Sequence, residues 1–219
     1  MANSPMIASY TFKEELAHGI SHGLGTALSI AGLVFLLLAA YRYGTSWHIV
    51  SSVIYGSAMI LLYASSTLYH LLPASNLKRI FQKLDHGMIY VLIAGTYTPF
   101  TLISLHGAWG WTLFGIVWGL AAVGFGLEIF LHRRIQWLSL SLYLGLGWLV
   151  IFAIRPMLAA VPTGGMLLLL GGGLLYTLGI IFYVWKTLLY HHAIWHLFVI
   201  GGSICHFAAI YSYVILPVG

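Results

Sequence analysis

Charge is nearly absent from this sequence: four acidic and nine basic residues in 219, or 6%. An ordinary soluble domain carries about 25%, and so few charges cannot cover a surface facing water. Cysteine is scarcer still. The single Cys205 excludes an internal disulfide, and a lone cysteine in an apolar run reads as a small packing residue rather than a nucleophile. The balance of +5 does not point to nucleic acid, because the basic residues come in ones and twos and never form a patch interleaved with aromatics. No small-residue cleavage site follows the first apolar run, so that run is expected to stay as a membrane span.

What is present is apolar: 61% of the residues, in runs long enough to cross a hydrocarbon core of about 30 Å. The expected fold is all-α, a polytopic membrane protein of seven transmembrane helices with short loops and no separate domain. Residues 1–14 read as a polar amino-terminal tail and residues 15–219 as the seven-helix domain. The spans are expected at about Leu16–Ala40, Trp47–Leu72, Leu84–Leu105, Trp111–Leu131, Ile135–Ile154, Gly164–Trp185 and His191–Leu216. PASNLKRIFQK reads as a basic loop, Pro99 as a kink in the third span, and Arg155 and Pro156 as the end of the fifth. The Gly171–Gly173 run is expected to allow close helix packing rather than to bind phosphate.

Lys and Arg set the orientation. With the amino terminus inside, the inner segments hold Lys13, Lys78, Arg79, Lys83, Arg133, Arg134 and Lys186, and the outer ones only Arg42 and Arg155. The amino terminus is therefore expected inside and the carboxyl terminus outside. His70 then closes a span arriving at the inner leaflet, while Asp85, His192 and His196 open spans that leave it.

His192 and His196 stand four residues apart, one turn along one helix face. Neutral imidazole is the commonest metal ligand near neutral pH, and three histidines plus one open position is the pattern of a catalytic zinc. His70, His192 and His196 are the expected ligands of a zinc ion, and Asp85 the group that holds or deprotonates a water or orients a histidine. Ser66 lies one turn from His70 and could bond the water or a developing oxyanion, or simply a carbonyl of its own helix. Asp85 alone could instead pair with Lys83 or Arg79. His18 and His22 repeat the four-residue spacing, with His22 favoured as a nearby polar partner. His86 and His191 fall about 100° from their neighbours' faces. His206, about 15 Å deeper than His196, could line a chamber above the site but is expected to be a buried, hydrogen-bonded residue, and His48, His106 and His132 loop or interface residues.

Four stretches carry a family resemblance: SHGLG in the first span, SSTLYH closing the second, LDHGMIYVLIAGTYTPF opening the third and HAIWHLFVIGGSICHF in the seventh. Over nearly the whole chain the sequence resembles the bacterial hemolysin III family. That family looks like the bacterial branch of the progestin and adipoQ (adiponectin receptor-like) receptors, which share with alkaline ceramidases a pattern of Ser, Asp and three His. The resemblance implies Ser66, His70, Asp85, His192 and His196 as the functional set. It also implies zinc near the cytoplasmic side, a bacterial plasma-membrane location and hydrolysis of lipid amides. The short tail and loops leave no large receptor domain.

The leading expectation is a metal-dependent hydrolase whose partner is a membrane lipid, an amide or an ester. A pore-forming cytolysin follows from the family's name alone, and polar groups gathered at one end argue against a water-filled stripe. A zinc-stabilised sensor or regulator is the third reading. Two histidines one turn apart cannot grip opposite faces of one haem, and a proton-coupled transporter would hold ionisable groups near the midplane.

Overall fold

The computed structural model describes residues 10–131 and 134–217, so the expectations for residues 1–9, for His132 and for Arg133 lie outside the described residues. Within it the chain is all-α, and seven helices are long and apolar enough to cross a membrane: α1 Phe12–Tyr43, α2 Ser46–Leu71, α3 Asn76–Leu105, α4 Gly107–Phe130, α5 Gln136–Ala160, α6 Thr163–Val184 and α7 His191–Ile215. Consecutive helices pack side by side, and α7 returns against α1. That return decides where the site lies. It brings the start of α7 beside the start of α1 and the end of α2.

Helix starts follow local chemistry. Thr11 caps α1 in a reciprocal box with Glu14: the Glu14 amide donates to the Thr11 hydroxyl at 3.3 Å and the Thr11 amide donates to the Glu14 carboxylate at 2.9 Å. The third helix begins earlier than expected. Ser75 accepts a hydrogen bond from the Lys78 amide and caps a helix starting at Asn76, so most of PASNLKRIFQK is not loop but a helical extension ahead of the apolar stretch. Lys78 and Lys83 thereby gain fixed positions.

Proline behaves differently at the two sites, Pro99 expected as a kink and Pro156 as the end of a span. After Pro99, α3 continues as a wide π-helical segment, Phe100–Leu105, and turns into α4 through Gly107 at φ +61°, where glycine carries no Cβ penalty. In α5 the helix does not end at Arg155 and Pro156. It narrows to 3-10 geometry over Trp148–Ala153 and then resumes as α-helix over Ile154–Ala160. Pro156 sits in the first turn of that last piece, where its missing amide hydrogen has little to lose. The change of pitch strands backbone groups that lipid cannot satisfy. Tyr97 of α3 meets them: its hydroxyl donates to the Gly147 carbonyl at 2.9 Å and accepts from the Val150 amide at 2.8 Å.

The glycines of α6 act as packing residues. A Cβ on Gly172 would overlap the His206 ring, and one on Gly179 would come within 2.8 Å of Phe198, both on α7. His206 is half-buried and donates from Nε2 to the Leu169 carbonyl at 3.1 Å, hydrogen-bonded as expected, and it also lines a cavity inside the bundle. Tyr63 of α2 donates to Ser203 of α7 at 2.7 Å, and Ser203 also bonds Tyr176 of α6 at 2.8 Å. These bonds fix three helices together midway along the bundle.

Replacing Tyr97 with Phe leaves the Val150 amide and the carbonyls at the α5 pitch change without that hydroxyl. The expected loss is about 1–3 kcal/mol, read as a lower unfolding temperature in detergent with the helix content of the native state unchanged.

Candidate metal centre

His70 reaches the site from the last turn of α2, and His192 and His196 from the first two turns of α7. One ring nitrogen from each lies within 4.8 Å of the others, and all three residues are buried. Nitrogens about 2.0–2.1 Å from a tetrahedral ion are about 3.4 Å apart, so small side-chain rotations would close the set on a metal. Residues 122 or more positions apart in sequence thus meet where their depth and spacing placed them.

Hydrogen bonds select the nitrogen that His70 and His196 present. His70 Nδ1 donates to the Glu15 carboxylate at 2.6 Å, leaving Nε2 buried without a partner. Ser21 spends its only proton on the His18 carbonyl at 2.8 Å. Its contact of 2.9 Å with His196 Nδ1 must therefore be one in which the ring donates. Nε2 of His196 is then the lone-pair nitrogen, and it too has no partner. His192 has neither nitrogen bonded. Buried polar groups are normally hydrogen-bonded, so free nitrogens facing one another are what a cation site requires. The donor set fits zinc.

Glu15 was not foreseen. It bridges His70 on one oxygen and the Lys78 ammonium on the other at 2.9 Å, and Lys78 also donates to the Leu72 carbonyl at 3.2 Å. The sequence clue was weak, because an acid in the first turn of a helix is expected there for the helix dipole alone. Tyr10 covers the cluster just outside α1, with its ring 4.7 Å from that of His18, and burial pushes its phenol well above the usual range. His22 lies flat on His196, with ring centres 3.4 Å apart and planes 9° apart, a stacked polar neighbour.

Asp85 is buried in α3. Lys83 does not pair with it but donates to the Ile129 carbonyl. Ser66 Oγ has no hydrogen-bond partner, whereas Ser65 bonds the Leu62 carbonyl at 2.9 Å, so the simple backbone role falls to Ser65 and not to Ser66. Asp85 and His22 also line a mostly apolar cavity of about 140 Å³ that runs between α3, α5, α6 and α7. His22 is the member of the histidine cluster that lines it.

His86 was expected away from the face of Asp85, yet it lines the same cavity. Arg134 explains its placement. The guanidinium donates to Tyr183 at 2.7 Å, to His86 Nε2 at 3.2 Å and to Glu128 at 3.2 Å, and Glu128 accepts from Ser139 at 2.5 Å. This group ties the ends of α3, α4, α5 and α6 at the level of the cluster. His191 stands apart, donating from Nδ1 to the Phe182 carbonyl at 3.0 Å.

The comparisons with known proteins give the family. The sequence profile described as Haemolysin-III related matches residues 10–207, a range that includes all five expected site residues. The chain belongs to the haemolysin III family. It is 50% identical over 204 residues to the Hemolysin-3 homolog of Bacillus subtilis (strain 168), covering 93% of this chain and 96% of that protein. To Hemolysin-3 of Bacillus cereus it is 47% identical over 203 residues, 93% of each. A more distant relative, the Monocyte to macrophage differentiation factor of Homo sapiens, is 30% identical over 173 residues, 76% of this chain and 71% of the human one. This haemolysin III protein is thus a multi-pass membrane protein with a buried His and Glu group able to hold a metal ion.

Removing Glu128 as Ala would leave the Arg134 guanidinium half-buried without its countercharge. Breaking a fully buried pair costs about 3–5 kcal/mol. Arg134 keeps some exposure, so about 1–3 kcal/mol is expected, measured as a fall in thermal stability in detergent that Arg134→Met in the same chain partly reverses.

Proposed function

We propose that this haemolysin III protein is a zinc-dependent hydrolase of a lipid amide or ester. One observation carries the reading: three buried imidazoles from α2 and α7 face one another, and a mostly apolar cavity lined by the buried carboxyl of Asp85 reaches His22, which stacks on His196. Zinc bound by His70, His192 and His196 supplies Lewis acidity, polarising a carbonyl and acidifying water.

The chain's own residues do the remaining work. The apolar walls take an acyl chain and exclude water, which strengthens every charge interaction at the closed end. Asp85 accepts the proton of the attacking water and returns it to the leaving amine or alcohol. Ser66, free of its own backbone, donates a hydrogen bond to the carbonyl oxygen as negative charge develops there. Glu15 fixes the tautomer of His70, and Lys78 holds Glu15 in place. The Lys and Arg bias supports an orientation with this end of the bundle at the inner leaflet of a plasma membrane, with the lipid entering from the bilayer at that level.

A lytic pore draws support only from the word hemolysin in the names of two relatives. The cavity walls are largely apolar, which gives ions no hydrated path.

Zinc content by mass spectrometry, taken with turnover on a panel of lipid amides and esters, tests the proposal. Parent and His106→Ala are expected to hold about one zinc per chain, with His196→Ala holding little. Asp85→Asn keeps its metal and loses hydrolysis by about 100-fold or more. Full turnover in Asp85→Asn, or no zinc in the parent after reloading, would defeat it.

Glu15→Gln separates the supporting shell from the ligands. Its amide no longer offers His70 a charged acceptor, and the loss expected from such a change is about 10–100-fold in zinc affinity. Competition with a chelator of known affinity measures it, and an unchanged affinity would deny Glu15 that role.

A further inference from the structure

The sequence favoured His22 as a nearby polar partner, and it stacks on His196, but it is His18 that faces all three expected ligands. The ring centre of His18 lies 4.7 Å from that of His70, 4.8 Å from that of His192 and 5.6 Å from that of His196. The three expected ligands are themselves 5.2, 5.4 and 4.6 Å apart by the same measure. All six edges are therefore alike, and the four rings occupy the corners of a tetrahedron. Four imidazoles around one tetrahedral ion, each bound through a nitrogen about 2.0–2.1 Å away, have ring centres about 5 Å apart.

His18 is also fully buried, with neither ring nitrogen bonded. Leaving a buried donor or acceptor unmade costs about 1–3 kcal/mol, and His18 leaves one of each. His22 is equally unbonded but cannot share the ion. A metal lies close to the plane of the imidazole that binds it, and the His22 plane runs parallel to that of His196 with ring centres 3.4 Å apart. Two such planes do not meet at one ion.

We propose that His18 is a fourth, displaceable protein ligand of the metal centre. The inference rests on the reading of His70, His192 and His196 as a metal site. His18 is the loosest corner, since its nitrogens fall outside the set of three that lie within 4.8 Å of one another, and its longest edge is the one to His196. Bound, it closes the position that a water or a carbonyl oxygen needs. Released, it opens that position, and the edge-on Tyr10 ring beside it is what the displaced imidazole must push against. The resting centre is then shut to adventitious water and opens when a lipid fills the cavity.

The rival assignment is a second ion held by Glu15, His18 and His70, whose ligand atoms also lie within 4.8 Å of one another. Glu15 argues against it. Its two oxygens already hold the His70 ring and the Lys78 ammonium, so a second dication would face Lys78 across one carboxylate.

X-ray absorption at the zinc edge on the full chain in detergent, loaded with zinc and without lipid, decides between them, with zinc content measured on the same samples. Expected are about one zinc per chain with four imidazoles in the parent, and three imidazoles plus one oxygen in His18→Ala. Three imidazoles and one oxygen in the parent would overturn the role of His18 while leaving the three-histidine centre standing. Two zinc ions per chain, falling to one in His18→Ala, would overturn it in favour of the second site. No zinc in the parent would remove both the proposal and the centre beneath it. Because the parent's spectrum and zinc content together separate these outcomes, the result does not depend on the variant folding.

Discussion

Inside a bilayer each polar group must find its partner within the protein, and this constraint shapes the whole bundle. Regular helix satisfies most of the backbone, and Tyr97 repairs the place in α5 where the pitch changes. Side chains face the same demand. Ser29, Thr96, Thr98 and Thr177 turn back on carbonyls of their own helices. Against that background, the unbonded nitrogens of five histidines at one end of the molecule are not ordinary helix packing. They cluster at one level.

The level is set by the ends of helices. His70 closes α2, His18 and His22 open α1, and His192 and His196 open α7, so three chain segments distant in sequence expose their histidines at the same height. The pairing of α1 with α7 then supplies lateral contact. A helix start and a helix end also provide what a mid-span site lacks. Charged groups such as Glu15 and Lys78 can reach the cluster there while remaining near the membrane boundary, where a charge costs less. The second polar group, around Arg134 and Glu128, uses the same boundary and joins helices on the other side of the cavity.

Much of this was legible in the sequence. Seven apolar runs gave the helices, the four-residue spacing gave His192 and His196 one face, and the position of His70 at the end of a run gave its depth. What stayed hidden shares a physical reason: side-chain direction depends on where a helix begins. Glu14 and Glu15 look equivalent in the sequence, yet one caps α1 and the other, about 100° around the helix, turns inward to His70. Likewise Ser75 lengthens α3 toward the boundary and turns Lys78 from a loop charge into the partner of Glu15. His86 could not be placed from its helix alone, because Arg134, from the α4–α5 connection, completes its surroundings. In α5, Arg155 followed by Pro156 reads as a stop, and only the narrowed segment before it makes continuation possible.

Whether such a centre is built for chemistry or for strength turns on the groups that are not ligands. A structural metal needs a closed shell and nothing beside it. Asp85 is superfluous to such a shell. It is buried in a membrane span, and among the described residues no Lys or Arg forms an ion pair with it. Ser66 is superfluous in the same sense, since its hydroxyl bonds neither its own helix nor a neighbour. Both add desolvation cost without adding to the fold. A stability role would favour replacing them with apolar residues, while a reaction that moves a proton and stabilises an oxyanion at the end of an apolar cavity needs one group of each kind. Asp85 in the wall of that cavity and the free hydroxyl of Ser66 one turn from His70 are therefore the argument for catalysis.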